Sequence, residues 1–160
     1  MAIYLQLGDI KGNVTAAGYE EYINIMSVSF GVNRQVNMES GAMANRERSA
    51  PNLSTIMLSK EADSSVTALF KAATTGAAGN EATLKFVRTS ADELQEFMSI
   101  VLTDCIVSGY NVSAGAEGAP MENIELSYSK IEVSFTDYDK SNKGGSPTRA
   151  SYDLTTAKAG

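Results

Sequence analysis

Residues 123–135 read NIELSYSKIEVSF. The alternation is clean, but it changes phase part-way. Ile124, Leu126 and Tyr128 share one face of an extended chain, whereas Ile131, Val133 and Phe135 have the opposite parity. Successive side chains of a strand point to opposite faces, so one unbroken ladder cannot bury both sets on the same side. Either a bulge resets the register, or the strand bends out of one sheet into another. Both are corner devices of antiparallel barrels and sandwiches, and they set the expectation for the rest of the chain.

Working outward, Ile3, Leu5 and Leu7 alternate with polar or small neighbours and predict a first strand ending near Gly8. From Tyr22 to Val32 the even positions are Tyr22, Asn24, Met26, Val28, Phe30 and Val32, with Ser27 and Ser29 on the other face. That is the pattern of one half-buried strand, ended by Gly31. LSTIMLSK (53–60) reads as a third strand, centrally placed because its apolar residues fall on both faces. Asp63 is positioned to cap a short helix with an apolar stripe of Val66, Leu69, Phe70 and Ala73, stopped by Gly76. Ala82, Leu84 and Phe86 predict another strand.

The segment SADELQEFMSIVL (90–102) leaves two readings open. Ser90 and Glu93 match a capping box, and Leu94, Phe97, Met98, Val101 and Leu102 sit at helical spacing, so periodicity alone favours a helix. The β-branched stretch that follows, with Ile106 and Val107, favours a strand. A turn-rich linker, DKSNKGGSP (139–147), leads to a tail around Tyr152 and Leu154. The sum is about six or seven strands and one short helix, an antiparallel barrel or two-sheet sandwich with a flanking helix. No internal repeat or boundary appears, so residues 1–160 are expected to form a single domain.

Composition limits function. The 160 residues carry a net charge of −6 and 43% apolar side chains. An acidic chain with its 13 basic residues dispersed lacks the patch that tracks phosphates, which argues against a nucleic-acid partner. No basic n-region with an apolar h-region opens the chain, and no window approaches the ~18 apolar residues of a membrane span, so neither a cleavable signal nor membrane insertion is expected. The absence of histidine removes Ser-His-Asp and Cys-His arrangements and His-based zinc sites. The lone Cys105 cannot form an intrachain disulfide and reads as a small buried side chain. Carboxylate pairs at Glu20 and Glu21, Asp92 and Glu93, and Asp137 with Asp139 read as surface groups. Asp104, mid-strand, reads as facing solvent or pairing with a lysine, and Tyr22 and Phe30 read as core. Catalysis, a cofactor and a metal are not expected.

One stretch stands apart. Residues 31–52, GVNRQVNMESGAMANRERSAPN, form a long polar segment between two strand-like runs. Connections are usually ~4–6 residues, so a loop this long asks for a purpose.

The chain resembles the haemolysin-coregulated (Hcp) tube proteins of bacterial type VI secretion systems. MAIYLQLGDIKGNVT and EEYINIMSVSFGVNR look like the family's N-terminal half, and APNLSTIMLSKEADSSVTALFKAATTG like its third strand and lateral helix. LTDCIVSGYNVSAG, MENIELSYSKIEVSF and YDKSNKGGSPTRASYDLTTAKAG look like its C-terminal half. The family commonly has tryptophan where this chain has Tyr22 and Phe30. The resemblance implies a phage tail tube-like barrel of two sheets and one helix, with 94–107 as a strand. It implies a homo-hexameric ring that stacks into a tube, a spike protein and a contractile sheath as partners, and effectors carried in the lumen. It further implies assembly in the cytoplasm followed by export. The extended loop at 33–51 would then touch a neighbouring subunit or ring, with Arg34, Glu39, Arg46, Glu47 and Arg48 as contact residues and Gly41 and Pro51 shaping its path. The competing reading is a monomeric β-barrel binding module for a small ligand or peptide. A toxic enzyme carried on such a tube is the weakest reading, because histidine and an additional domain are both lacking.

Overall fold

The computed structural model describes residues 1–36, 40–41, 49–76, 79–90 and 92–160. Among them the elements run β1 (Ala2–Leu7), β2 (Ile23–Ile25), β3 (Ser27–Ser29), β4 (Val32–Asn33), β5 (Asn52–Leu53), β6 (Ile56–Glu61), α1 (Val66–Thr75), β7 (Asn80–Ser90), β8 (Glu93–Ser113), β9 (Met121–Ser127), β10 (Lys130–Phe135), β11 (Thr148–Asp153) and β12 (Lys158–Ala159). Every pairing of these strands is antiparallel.

The strands make two main sheets that share β8. The larger has the order β12-β11-β10-β8-β7-β1-β2, and the smaller the order β3-β6-β9-β8; β4 and β5 form a separate ribbon. Residues 93–105 of β8 pair with β7, and 98–103 also pair with β10. Residues 106–113 pair with β9 in the smaller sheet. The described pairings close no barrel, and the two sheets pack as a sandwich. The phase change at 128–129 marks the crossing of β9 in one sheet to β10 in the other, so the sheet-switching alternative is the one adopted. The two crossings are tied together, since Ser129 N–H donates to the Thr103 carbonyl at 3.0 Å.

Asp104 sits at the turn of β8 with φ 53°, in the left-handed region. An L-residue there crowds its Cβ, and a short polar side chain tolerates it best. Asp104 itself is exposed. Its neighbour Cys105 is buried, and burial followed by the nearby Asp104 charge pushes the thiol up to about 12, leaving it inert.

Between the sheets Leu5, Leu7, Ile23, Ile56, Leu58, Leu84, Ile100, Leu102, Ile124 and Leu126 meet Leu69 of α1. Each such side chain contributes ~1.5–3 kcal/mol by leaving water. Gly76 ends α1 with φ 60°, and its N–H bonds the Ala72 carbonyl at 3.1 Å, as expected for a glycine stop.

Four expectations need correction. The stretch from Tyr22 to Val32 is not one strand: it breaks at Met26 into β2 of the large sheet and β3 of the small one. Ile23 and Ile25, at odd positions, are buried while Asn24 is exposed, because isoleucine outcompetes asparagine for the core. The strand expected at 53–60 begins only at Ile56, and Met57 on its outer face is 52% exposed. The residue flanking α1 is Ser65, with Asp63 holding the turn before it, and Phe70 of the expected apolar stripe is 59% exposed. Lastly, of the two readings of 90–102 the helical one fails: 93–102 is strand, as the resemblance implied for 94–107. Met98, Ile100 and Leu102 face inward, β7 pairs along the whole segment with β10 on the other side of 98–103, and Ser90 pairs with Glu93 across the β7–β8 hairpin instead of capping a helix.

The turn at Asp104 gives a direct test. Asp104→Val should destabilise the fold by ~1–2 kcal/mol, the cost of a left-handed β-branched residue, lowering Tm by ~2–4 °C per kcal/mol. Asp104→Gly should hold or raise Tm. Equal shifts for the two variants, measured by calorimetry, would show that the torsion is not what the position demands.

Candidate functional site

Lys60 continues the buried parity of β6 after Ile56 and Leu58, and Glu122 continues that of β9 with Ile124 and Leu126. The two residues are register partners, and both side chains are 0% exposed. Lys60 Nζ donates to Glu122 Oε2 and lies 3.0 Å from Asp63 Oδ1. Tyr110 of β8 donates its hydroxyl to Glu122 Oε1. Asp63 Oδ1 further accepts the Ser65 N–H at 2.9 Å and the Ser65 hydroxyl.

Desolvating each of these ions costs several kcal/mol, and only the pairing and surrounding hydrogen bonds offset that. Burial, then the bond to Glu122, pushes the Tyr110 phenol up, so it stays a donor. Burial alone would raise the Asp63 carboxyl, but the bonds from Ser65 and Lys60 outweigh it and hold the group below its usual range. The network joins β6, β8, β9 and the entry to α1. Sealed from solvent and fully engaged, its ammonium is a structural cation and no nucleophile. Sequence reasoning passed over it, although the signal was present: both charges fall on the inward parity of their strands.

The exposed chemistry lies on the smaller sheet. Its outer face carries Ser27, Ser29, Ser59, Asn111, Asn123 and Ser127, together with Met57, Met121 and the carboxylates of Glu61 and Glu125. Ser27 and Ser59 bring their hydroxyl oxygens to 2.5 Å, and Ser127 donates to Ser108 at 2.8 Å. Among the described residues β3 pairs only with β6, and 106–113 of β8 pair only with β9. Both ends of this four-stranded sheet therefore present unpaired backbone groups. A cleft of about 530 Å³ beside the β3 end is lined by Tyr4, Asn13, Thr15, Asn24, Glu61 and Asp63.

Of the loop residues named from sequence, Arg34 is exposed, following β4. Glu39, Arg46, Glu47 and Arg48 lie outside the described residues. Glu20, Glu21, Asp92, Glu93, Asp137 and Asp139 are all exposed, and among the described residues no three metal-ligating side chains converge. Tyr22 and Phe30 are half-buried, and Phe30 packs against the core.

A family model described as type VI secretion system effector, Hcp, matches residues 4–135. The chain belongs to the Hcp family. It is thus a type VI secretion tube/effector protein, of a family that is structural and not a known class of enzymes. Solved structures agree in fold. One described as a type six secretion system protein superimposes with TM-score 0.91 at 22% identity, covering 99% of both chains. Hcp1 from Salmonella typhimurium gives 0.76 at 22% identity, again over 99% of each. The secreted protein Hcp3 from Pseudomonas aeruginosa gives 0.59 at 18% identity, over 95% of this chain and 97% of its own. No curated protein sequence matches. No helix among the described residues is long and apolar enough to cross a membrane.

In this Hcp chain breaking one partner of the buried network should be costly. Lys60→Met should cost ~3–5 kcal/mol by stranding Glu122, whereas Lys60→Met with Glu122→Leu should be the less destabilised of the two. Urea titrations check the order, and equal losses would mean the charges act independently. The lowered Asp63 carboxyl also carries a pH signature. Its stabilisation is complete above the unfolded value, near 3.8, and is lost as pH falls through the lower folded value. Asp63→Asn should flatten that part of the stability–pH curve below about pH 4.

Proposed function

We propose that this chain, as a single domain over 1–160, is a subunit of the type VI secretion inner tube. It forms homo-hexameric rings that stack, are assembled in the cytoplasm and exported, and carry effectors in their lumen. The observation that carries this reading is the four-stranded sheet with an unpaired edge at each end. Exposed edges invite association, and soluble monomers normally cover or blunt them. A head-to-tail contact repeated around a closed ring uses both edges once per subunit and leaves none over.

The serine-rich outer face of the same sheet then becomes the wall of the lumen, where small hydroxyl side chains offer hydrogen bonds without shape demands. Such a wall suits many cargoes held weakly. The spike, the sheath and the effectors are the expected partners, and no nucleic acid is among them. The loop at 33–51 extends the contacts to a neighbouring subunit or ring through Arg34, Glu39, Arg46, Glu47 and Arg48. A monomeric binding module would use the cleft beside Glu61 as its site, but it leaves both sheet edges without a role.

Light scattering of the purified chain should give a mass about six times its 17.0 kDa. A 17.0 kDa species persisting at high concentration would sink the ring reading. Reversing Arg46 and Arg48 to Glu should weaken ring stacking more than it lowers Tm. Exposed pairs contribute only ~0–1 kcal/mol each, so the effect relies on repetition around the ring. Lowered Tm with intact stacking would assign the loop to the fold alone.

A further inference from the structure

Charge on the smaller sheet is divided by face. The charged residues of β3, β6, β9 and 106–113 of β8 are Lys60, Glu61, Glu122 and Glu125. Lys60 and Glu122 are sealed together on the core side. Glu61 and Glu125 have the opposite parity and stand on the outer face. The sheet's one basic group is therefore hidden, and the face it shows to other molecules carries carboxylates alone. Among the described residues neither Glu61 nor Glu125 makes an ion pair.

Each of these carboxylates has a methionine directly across the ladder. Glu61 pairs with Met121 and Glu125 with Met57, and the Ser59–Asn123 pair lies midway between them. Glu125 is further seated by a glycine. Where β8 bulges between Val107 and Gly109, a Cβ on residue 109 would come within 3.1 Å of the Glu125 Cβ and 3.2 Å of its Cγ and Cδ, so the glycine leaves the space that the glutamate stem occupies. A thioether is a flexible, polarisable apolar surface. Lysine and arginine lay their methylene stems on such surface and keep the charged head in water. A methionine beside a carboxylate offers both halves of that contact, and here the arrangement occurs twice. Met121 and Glu125 are four residues apart on β9, which sets the two carboxylates ~14 Å apart along the strands.

We infer that this face docks a basic segment of a cargo polypeptide in extended form, with lysine or arginine at positions i and i+4 set on the two methionine–glutamate pairs. The inference rests on the reading of this face as the wall of the lumen and names the cargo chemistry that the wall selects. Charge complementarity fixes the sign of the occupant, and the methionines favour a long aliphatic stem over a bare cation. Positions i and i+4 of an extended chain share one face and match the spacing of the two carboxylates. A single exposed ion pair contributes only ~0–1 kcal/mol. Repetition of the same two pairs in every subunit gives the attraction its strength without tight binding at any one of them.

Fluorescence anisotropy of the purified chain with a labelled glycine–serine peptide carrying lysines at i and i+4 tests this, beside the same peptide with glutamates in their place. The lysine peptide should bind and the glutamate peptide should not. Raising the salt from ~0.1 to ~1 M, which shortens the Debye length from ~10 to ~3 Å, should release it. Lysines at adjacent positions, which an extended chain turns to opposite faces, should bind more weakly. Glu61→Gln together with Glu125→Gln should weaken binding on the order of tenfold while particle mass and Tm hold, since both side chains stand outside the core. Equal binding of the two peptides, or undiminished binding by the glutamine variant, would overturn docking by these carboxylates and leave the ring reading standing. A wild-type chain that stays monomeric would remove the ring reading instead, and the same titration on that monomer would still decide the chemistry of the face.

Discussion

The structure depends on one strand serving two sheets. β8 runs through Glu93–Ser113 and turns at Asp104, where a left-handed residue redirects the backbone from the larger ladder into the smaller one. Beside it β9 passes into β10 at the same level, held by the Ser129–Thr103 hydrogen bond. A sandwich built in this way needs no long loop at that corner. It also limits the smaller sheet to β3, β6, β9 and the end of β8, and so fixes which backbone edges are left for other molecules.

The buried charges work within that frame. Lys60 and Glu122 occupy the middle of the row that ends in Met26 and Val112, with the apolar row of Val28, Leu58, Ile124 and Tyr110 beside it. An ion pair there is a poor source of net stability but a strict one geometrically, since a register slip would leave a charge buried and alone. Through Asp63 and Ser65 the same network sets where α1 begins, and α1 in turn lies against β8 with Leu69 in the core. The packing that makes the subunit therefore also positions the helix beside the unpaired end of β8.

Much of this was legible in the residues, and the gaps have physical causes. The phase change in NIELSYSKIEVSF announced either a bulge or a crossing between sheets, and the pairing of β9 and β10 in different sheets decides for the crossing. The helix at 66–75 was legible from its spacing and its glycine stop. The segment 93–102 misled because Leu94, Phe97, Met98, Val101 and Leu102 fit a helical face as well as a strand; only ladders contributed by distant β7 and β10 decide it. Tyr22 to Val32 misled for the opposite reason, since counting a single phase hid the break at Met26. Lys60 and Glu122 were overlooked because charged side chains in strands are usually at the surface. Arg34 is exposed, and the role given to the loop remains a proposal.

A tube subunit asks little of catalysis and much of shape. A sheet sandwich buries its core, a buried ion pair pins the register, and among the described residues both ends of the smaller sheet carry unpaired backbone groups. The most direct measurement of this account is electron microscopy of the purified chain at neutral pH. The account predicts six-fold ring averages with an open centre and a continuous inner wall of strands. Particles the size of a single chain, or a two-fold dimer that buries the serine face, would contradict it.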